Sequence, residues 1–207
     1  TEGLFASMGK GVVTETEARE TLVITRKTSE RLFEFSFKLA ERRKARGKAN
    51  GGLTCVDKAN VFRAFAFFRE MFDEAAKRHP GVKADRVYVD ACSLMMVKRP
   101  WDFDVMVTEN MFGDILSDLA AGLIGGLGMA PSADIGDRYA VFQPCHGTAP
   151  DIAGRGIANP AALILSGIMM LRHVGLLSHA ANIENALMVA LEQAKVNPAY
   201  VQILNMR

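Results

Sequence analysis

Residues 104–160 constrain the fold most strongly, because they combine a buried strand, an apolar helix and two glycine-rich segments. The apolar run 105–107 is flanked by polar residues, a pattern typical of a strand buried on both faces. Asn110 is a good N-cap residue. Apolar residues follow it at helical spacing, namely Phe112, Ile115, Leu116, Leu119 and Leu123. The pattern predicts a buried strand that leads directly into a helix buried on most of its sides.

Two carboxylates, Asp114 and Asp118, stand four residues apart on this predicted helix. Side chains at that spacing lie one above the other on the same face, so their oxygens can converge. A divalent cation between them would replace a repulsion with ligation, and oxygen ligands suit Mg²⁺ or Mn²⁺. An arbitrary pair of this kind is more often a solvated acidic face. The glycine, serine and apolar neighbours of this pair leave little polar face and favour a metal site.

The glycine-rich run GLIGGLG, residues 122–128, does not match the dinucleotide fingerprint G-x-G-x-x-G. Gly126 and Gly128 fill the first two positions, but Pro131 stands where the third glycine belongs. The run also follows a helix rather than a strand. We therefore expect it to end the helix and to turn the backbone at positive φ.

The segment PCHGTAPDIAGRGIANP, residues 144–160, consists almost entirely of glycine, proline, alanine and small polar residues. Such a segment has no core to build and is predicted to be a shaped loop after a short strand at 140–142. It offers His146, Asp151 and Asn159 as hydrogen-bonding groups beside unencumbered backbone N–H groups. These groups suit an adenosine, whose ribose 2′-OH can donate to a carboxylate.

The segments NMFGDILSD and HGTAPDIAGRGIANP together resemble the β-decarboxylating dehydrogenases that act on malate-type substrates. That family includes isopropylmalate, isocitrate, homoisocitrate and tartrate or D-malate dehydrogenases. TEGLF, VDKANV and YVDA stand in the family order and spacing, and the similarity extends from residue 1 to about residue 175. Residues 176–207 match poorly.

The resemblance implies an α/β protein with the two-domain isopropylmalate/isocitrate dehydrogenase-like fold, in which helices flank mixed sheets. Residues 1–124 would form the substrate and dimerisation domain with a β-arm, and residues 125–207 part of the cofactor-binding domain. The family segment that precedes TEGL is absent from this sequence, so the resemblance also implies that the N-terminal part is missing.

Lys58 and Asp90 complete the active site that the resemblance implies. Lys58 follows a predicted strand at 53–56 and is expected at the N-terminus of the next helix, where the helix dipole disfavours an ammonium. An arbitrary lysine is usually a solvated charge, whereas Lys58 matches the family's catalytic base. Asp90 ends a predicted strand at 86–89 and could simply cap a helix. The resemblance makes it the third metal carboxylate, donated with Lys58 across a homodimer to Asp114 and Asp118.

The resemblance also implies the cofactor and the reaction. The cofactor would be bound by Asn60 and by a set of loop residues, namely His146, Gly147, Thr148, Ala149, Pro150, Asp151, Ile152 and Asn159. Asp151 and Ile152 favour NAD, because a carboxylate repels the 2′-phosphate of NADP. The implied reaction is the metal-dependent oxidative decarboxylation of a 3-substituted malate, of the isopropylmalate or tartrate/D-malate type, with hydride transfer to NAD.

Two departures from the family pattern keep other functions open. Phe5 stands where active members have a tyrosine that protonates the enol, and Gln143 stands where they usually have glutamate. These residues favour a catalytically impaired regulatory or dimerising subunit of the same fold. A nucleotide-binding module that uses the HGTAPD loop alone is a further alternative.

Composition excludes several other classes of function. Hydrophobic residues make up 49% and charged residues 23%, and the formal net charge of +2 gives no reason to expect nucleic acid or a membrane as partner. The three cysteines lack metal-site spacing and indicate a reducing compartment, so the expected location is cytoplasmic.

The remaining elements predicted by the sequence are a β-ribbon at 11–26, a helix at 28–46 capped by Ser29, an apolar helix at 161–174 and a final helix at 183–194.

Overall fold

The computed structural model describes residues 3–7, 9–47 and 51–193. It divides into two compact units, Thr1–Ser117 and Asp118–Arg207. The first unit contains strands and helices in the order β1 (Val12–Val13), β2 (Ala18–Arg19), α1 (Arg26–Ala45), β3 (Gly52–Asp57), α2 (Arg63–Arg78), β4 (Lys83–Tyr88), α3 (Val89–Lys98) and β5 (Val105–Val107). Helix α4 (Asn110–Leu123) follows, and the second unit continues with β6 (Pro131–Ile135), β7 (Ala140–Pro144), α5 (Ala161–His173) and α6 (Leu177–Gln193).

A three-stranded parallel sheet organises the first unit. Its strand order is β4–β3–β5, and Asp57 is paired with Tyr88 where β3 and β4 end. The short β1 and β2 form a separate antiparallel pair, so parallel and antiparallel sheets both occur and the α/β fold class is confirmed. Parallel strands end at the same edge of a sheet, so the residues that follow β3 and β4 lie close together.

A cluster of aromatic side chains from α1 and α2 forms the core beside this sheet. Phe33 and Phe37 contribute from α1, and Phe68 and Phe72 from α2, all at most 2% exposed. The Phe33 and Phe68 ring centroids are 4.6 Å apart, and the rings of Phe37 and Phe72 are stacked. Burial of each such side chain contributes about 1.5–3 kcal/mol, so these phenylalanines build the core rather than a cofactor site.

Helix α1 begins earlier than the sequence pattern predicts. Thr25 has an extended backbone and its side chain accepts a hydrogen bond from the Thr28 N–H, whereas Ser29 is buried within the helix. The prediction that Ser29 caps the helix is therefore wrong, because Thr25 offers the same hydroxyl one turn earlier. The basic residues Arg42, Arg43 and Lys44 occupy the last turn, where cations complement the dipole.

The second unit contains an antiparallel hairpin and two helices. Strand β7 begins where the sequence predicts a strand and extends two residues beyond the predicted end at 142, whereas the sequence does not predict its partner β6. The hydroxyl of Ser166 on α5 donates to the carbonyl oxygen of Gln143 on β7 at 2.8 Å, and Arg172 on α5 pairs with Glu184 on α6. Helix α6 begins six residues before the predicted start.

The glycine-rich run behaves as predicted. Helix α4 ends at Leu123, and Gly125 and Gly126 adopt φ values of 111° and 104°. Other residues rarely adopt such angles, so these glycines let the chain leave the helix and enter β6.

Within the described ranges, no helix is both long enough and apolar enough to span a bilayer. The three cysteines are free thiols, of which Cys55 and Cys92 are buried and Cys145 is exposed. Burial raises the pKa of the Cys92 thiol to about 11.

Candidate active site

Lys58 and Asp90 form an ion pair at the carboxyl edge of the parallel sheet. Lys58 comes directly after β3, and Asp90 is the second residue of α3, just beyond β4. The Lys58 Nζ donates to Asp90 Oδ1 at 2.6 Å. The Lys58 side chain is 23% exposed and the Asp90 side chain 67% exposed. The structure thus brings together two of the predicted site residues, which lie 32 positions apart in the sequence.

The hydrogen bond from Lys58 lowers the pKa of the Asp90 carboxyl, with help from backbone N–H groups at the start of α3. Asp90 is therefore an anion near neutral pH. Its Oδ1 accepts from the Lys58 ammonium, and most of the side chain is exposed to solvent. A carboxylate in this state can act as a ligand for a cation.

Lys58 does not lie at the N-terminus of α2, so that prediction is wrong. The helix begins only at Arg63, because residues 58–62 form a turn in which the N–H groups of Val61 and Phe62 donate to the Lys58 carbonyl oxygen. The turn separates Lys58 from the helix dipole, and its electrostatic partner is the Asp90 carboxylate instead.

A buried ion pair beside Lys58 is not predicted by the sequence. Asp57 is fully buried, and both of its oxygens accept from Arg69, Oδ2 from Nε and Oδ1 from Nη2, each at 2.7 Å. Asp57 Oδ1 also accepts from the Ala59 N–H at 2.8 Å. The guanidinium lies 4.8 Å from the centre of the Tyr88 ring. No local signal could reveal this group, since its members come from three separate elements.

Asp114 and Asp118 both lie on α4 and are exposed. Their spacing places them on the same face of this helix, as predicted. The helix is less buried than expected, because only residues such as Phe112 and Leu116 face the core, while Ile115 is 58% exposed.

Glu109, rather than Asn110, caps the N-terminus of α4. Its Oε1 accepts from the Phe112 N–H at 2.8 Å and its Oε2 from the Met111 N–H at 3.1 Å. Glu109 is only 5% exposed. The predicted cap at Asn110 is wrong because Asn110 is already the first helical residue. Helix α4 therefore begins on a buried carboxylate that satisfies two of its free N–H groups.

The described part of a single chain contains no group of three or more histidine, cysteine, aspartate or glutamate side chains that could hold a metal ion. Within it, Asp90 is paired with Lys58, and Asp114 and Asp118 share α4. The joint site of all three carboxylates, with Asp90 supplied by a partner subunit, therefore stays a prediction.

The predicted cofactor loop lies in the second unit, between β7 and α5. Ala149 adopts a φ of 44°, which is unusual for a residue other than glycine, and a short 3₁₀ helix spans Pro150–Ile152. Asp151 is exposed, as are Gly147, Thr148, Ala149 and Pro150. His146 Nδ1 lies 2.8 Å from the Gly147 carbonyl oxygen. The loop presents its polar groups to solvent at the end of a strand, as a binding loop requires.

Asn159 has a structural role in this loop. Its Oδ1 accepts from the Ala161 N–H at 3.0 Å at the start of α5, and its Nδ2 lies 3.3 Å from the sulfur of Met129. A Cβ atom at Gly128 would lie 3.2 Å from the Asn159 Cβ atom, so the chain approaches closely here. Asn60, in the first unit, is exposed. The assignment of either residue to the cofactor stays a prediction.

Comparisons with known proteins place this geometry in a family. The family model described as isocitrate/isopropylmalate dehydrogenase matches residues 1–202, so the similarity continues beyond residue 175, where the motifs alone end it. The 3-isopropylmalate/3-methylmalate dehydrogenase of Methanocaldococcus jannaschii is 46% identical over 202 residues, which cover 96% of this chain and 59% of that protein. The alpha subunit of the mitochondrial NAD isocitrate dehydrogenase of Bos taurus is 43% identical over 197 residues, or 94% of this chain and 52% of that protein.

A solved structure shares the fold. The crystal structure of isocitrate dehydrogenase from Methylococcus capsulatus superposes with a TM-score of 0.86 at 41% sequence identity, and the match covers 100% of this chain and 64% of that chain. The chain spans about three-fifths of the length of the first curated relatives it matches. The family match, these identities and the shared fold agree with the motifs around Lys58, Asp114 and His146, and the chain belongs to the isocitrate/isopropylmalate dehydrogenase family.

Proposed function

We propose that the protein to which this chain belongs catalyses the metal-dependent oxidative decarboxylation of a 3-substituted malate, of the isopropylmalate or tartrate/D-malate type, with hydride transfer to NAD. The observation that carries the proposal is the ion pair between Lys58 and Asp90, with Nζ and Oδ1 2.6 Å apart at the carboxyl edge of the parallel sheet. This edge is where ligands bind in open α/β sheets.

Carboxylate oxygens are suitable ligands for a divalent cation such as Mg²⁺ or Mn²⁺. Asp114 and Asp118 are exposed on one face of α4, and Asp90 is exposed at the start of α3. We propose that Asp114 and Asp118 of one subunit and Asp90 of the other hold Mg²⁺ or Mn²⁺ in a homodimer with shared active sites. When bound, the metal supplies positive charge that favours loss of the substrate hydroxyl proton and of CO₂.

Lys58 is assigned the role of general base. Once the Lys58 ammonium has released a proton to solvent, its neutral amine would accept the proton of the substrate hydroxyl, directly or through water, as the hydride leaves C2 for NAD. Asp90 orients the Lys58 amine through their hydrogen bond. The Lys58 Nζ is hydrogen-bonded to the Asp90 carboxylate, and the main chain of Lys58 is held in a turn. The base is therefore in position before the substrate binds.

The loop of the second unit is assigned to the cofactor. Asp151 is exposed within the short helix after Ala149, where it can accept from a ribose 2′-OH. The substitution Asp151→Lys is expected to lower kcat/KM for NAD and to raise it for NADP, because a lysine would attract the 2′-phosphate. Steady-state kinetics with both cofactors measures the change, and an unaltered preference would refute the assignment. Lys10→Ala, on an exposed residue of the first unit, is the control.

The alternative is a catalytically impaired regulatory or dimerising subunit of the same fold. Phe5 and Gln143 favour it, since a phenyl ring has no proton to give to the enol and Gln143 stands where active members usually have glutamate. The side chain of Phe5 lies outside the described residues, whereas the Gln143 amide lies 3.4 Å from Asp134 Oδ2.

One experiment separates the two functions. The full-length protein is incubated with NAD, Mg²⁺ or Mn²⁺ and a panel of isopropylmalate, isocitrate, tartrate and D-malate, and both NADH and CO₂ are measured. The dehydrogenase proposal expects metal-dependent formation of both products with one substrate, and its abolition by Lys58→Ala. Wild-type protein inactive on the whole panel would support the impaired subunit. NADH without CO₂ would show that the decarboxylation step is lost.

A further inference from the structure

A buried ion pair involves Asp57, the residue that precedes the proposed base Lys58. Asp57 is the last residue of β3, is 0% exposed and is held by two hydrogen bonds from Arg69 of α2, each of 2.7 Å. A carboxylate without solvent is costly unless its oxygens are satisfied, and here each oxygen accepts a charged hydrogen bond. The pair fixes the end of β3 to α2.

The same carboxylate also fixes the main chain around Lys58. Asp57 Oδ1 accepts from the Ala59 N–H at 2.8 Å, which closes a turn across Lys58, and the Lys58 carbonyl oxygen accepts from Val61 and Phe62. The backbone of Lys58 is thus held on both sides. From this held backbone the side chain reaches Asp90, to which Nζ donates at 2.6 Å.

Arg69 links this turn to the second strand end. Its guanidinium lies 4.8 Å from the centre of the Tyr88 ring, and Tyr88 is the last residue of β4, paired in register with Asp57. Asp90 follows Tyr88 by two residues. Arg69 therefore contacts Asp57, which adjoins Lys58, and Tyr88, which lies two residues before Asp90, and within the described contacts it touches neither Lys58 nor Asp90.

We propose that Asp57, Arg69 and Tyr88 form a brace that positions Lys58 against Asp90, with Arg69 as its central positioning residue. This inference rests on the proposed role of Lys58 as base. The brace sets the distance between the two strand ends and the direction of the Lys58 side chain. Stability alone does not require such a pair, because well-packed apolar residues of similar volume commonly replace buried ion pairs without loss. The planar guanidinium of Arg69 donates two hydrogen bonds in a fixed geometry, which is what a positioning role requires.

The test uses the full-length protein with the double substitution Asp57→Asn and Arg69→Met. This variant removes both charges together, keeps a similar volume and retains an oxygen for the Ala59 N–H, so no unpaired buried charge is left. The single substitution Arg69→Lys keeps the positive charge but removes the paired N–H donors of the guanidinium. The measurements are kcat and KM for the substrate that the wild type oxidises, and the rate at which an amine-reactive reagent labels Lys58 without metal or cofactor, scored by peptide mass spectrometry.

The brace predicts that kcat of the double variant falls by about 100-fold while KM changes little, since misplacement of a reacting group by about 1 Å has that effect. Lys58 labelling becomes faster because the amine spends less time paired with Asp90. Arg69→Lys gives intermediate values of both quantities. Wild-type kcat and wild-type labelling in the folded double variant would overturn the proposal.

Asp73→Asn is the matched control. Asp73 on α2 pairs with Arg86 on β4, so this substitution removes an ion pair between α2 and the sheet that involves none of the three brace residues. Both measurements are expected to stay at wild-type values in it. If the wild type has no dehydrogenase activity, the proposed function fails on its own, and the labelling rates of Lys58 still decide whether the brace exists.

Discussion

The cap of α4 gives a sharp test, because one buried side chain holds the start of the helix that carries Asp114. Glu109 accepts hydrogen bonds from the N–H groups of Met111 and Phe112 and is only 5% exposed. The substitution Glu109→Gln keeps the size of the side chain and removes its charge. The amide can accept from one of the two N–H groups, but its NH₂ group would face the other as a second donor.

The magnitude follows from these contacts. Loss of a helix cap costs about 0.5–2 kcal/mol, and loss of a partly buried charge at a helix end costs up to about 2 kcal/mol. The two contributions overlap and one N–H keeps its acceptor, so we expect the free energy of unfolding to fall by about 1–3 kcal/mol. Because the first turn of α4 then frays, we also expect the affinity for Mn²⁺ to fall, since Asp114 lies one turn further along.

The assays are urea denaturation followed by circular dichroism, and Mn²⁺ titration of the full-length protein. Glu70→Gln is the matched control, since Glu70 is exposed on α2 and such surface changes usually stay within about 0.5 kcal/mol of the wild type. A Glu109→Gln protein as stable as this control would refute the assignment of Glu109 as the cap. Unchanged Mn²⁺ affinity in a destabilised variant would refute the link between the cap and the metal site.

Two further predictions concern the first unit. Phe72 is fully buried against Phe37, so Phe72→Ala is expected to lower the free energy of unfolding by about 3–5 kcal/mol, whereas a loss below about 1 kcal/mol in urea denaturation would argue against this core. His79 stacks on Phe37 between two carboxylates; burial disfavours its charge, but hydrogen bonds to Glu41 and Glu34 outweigh that effect and raise its pKa. Because the pKa of His79 is higher in the folded than in the unfolded protein, protonation of His79 stabilises the fold. This stabilisation is complete below pH 6.5 and is lost as the pH rises through the folded-state pKa. The stability difference between wild type and His79→Gln, measured by urea denaturation across this range, should therefore shrink with rising pH, and a pH-independent difference would contradict the assignment.

The sequence predicts best what local patterns determine. The apolar run of β5, the periodic residues of α4 and the glycines after it are all found where the pattern placed them, because burial and backbone angles act over a few neighbouring residues. The family resemblance is confirmed, and with it the fold class.

Long-range and unusual contacts could not be predicted. Asp57 and Arg69 lie 12 residues apart, and neither residue type signals a buried pair. The cap at Glu109 is not predictable from residue type, because serine, threonine, aspartate and asparagine are the usual caps. Strand β6 begins with a proline and has a weak alternation, so its pairing with β7 decides its structure.

The most direct test of the central account asks whether Lys58 of one subunit acts with Asp114 of the other. Full-length Lys58→Ala and Asp114→Asn proteins are prepared separately, mixed under mild dissociating conditions and returned to buffer. Each variant alone is expected to be inactive, but a mixed dimer contains one site with both native residues. The account predicts recovery of about a quarter of wild-type activity in an equal mixture. An equal mixture that forms mixed dimers and stays inactive, while the wild type treated in the same way is active, would contradict it.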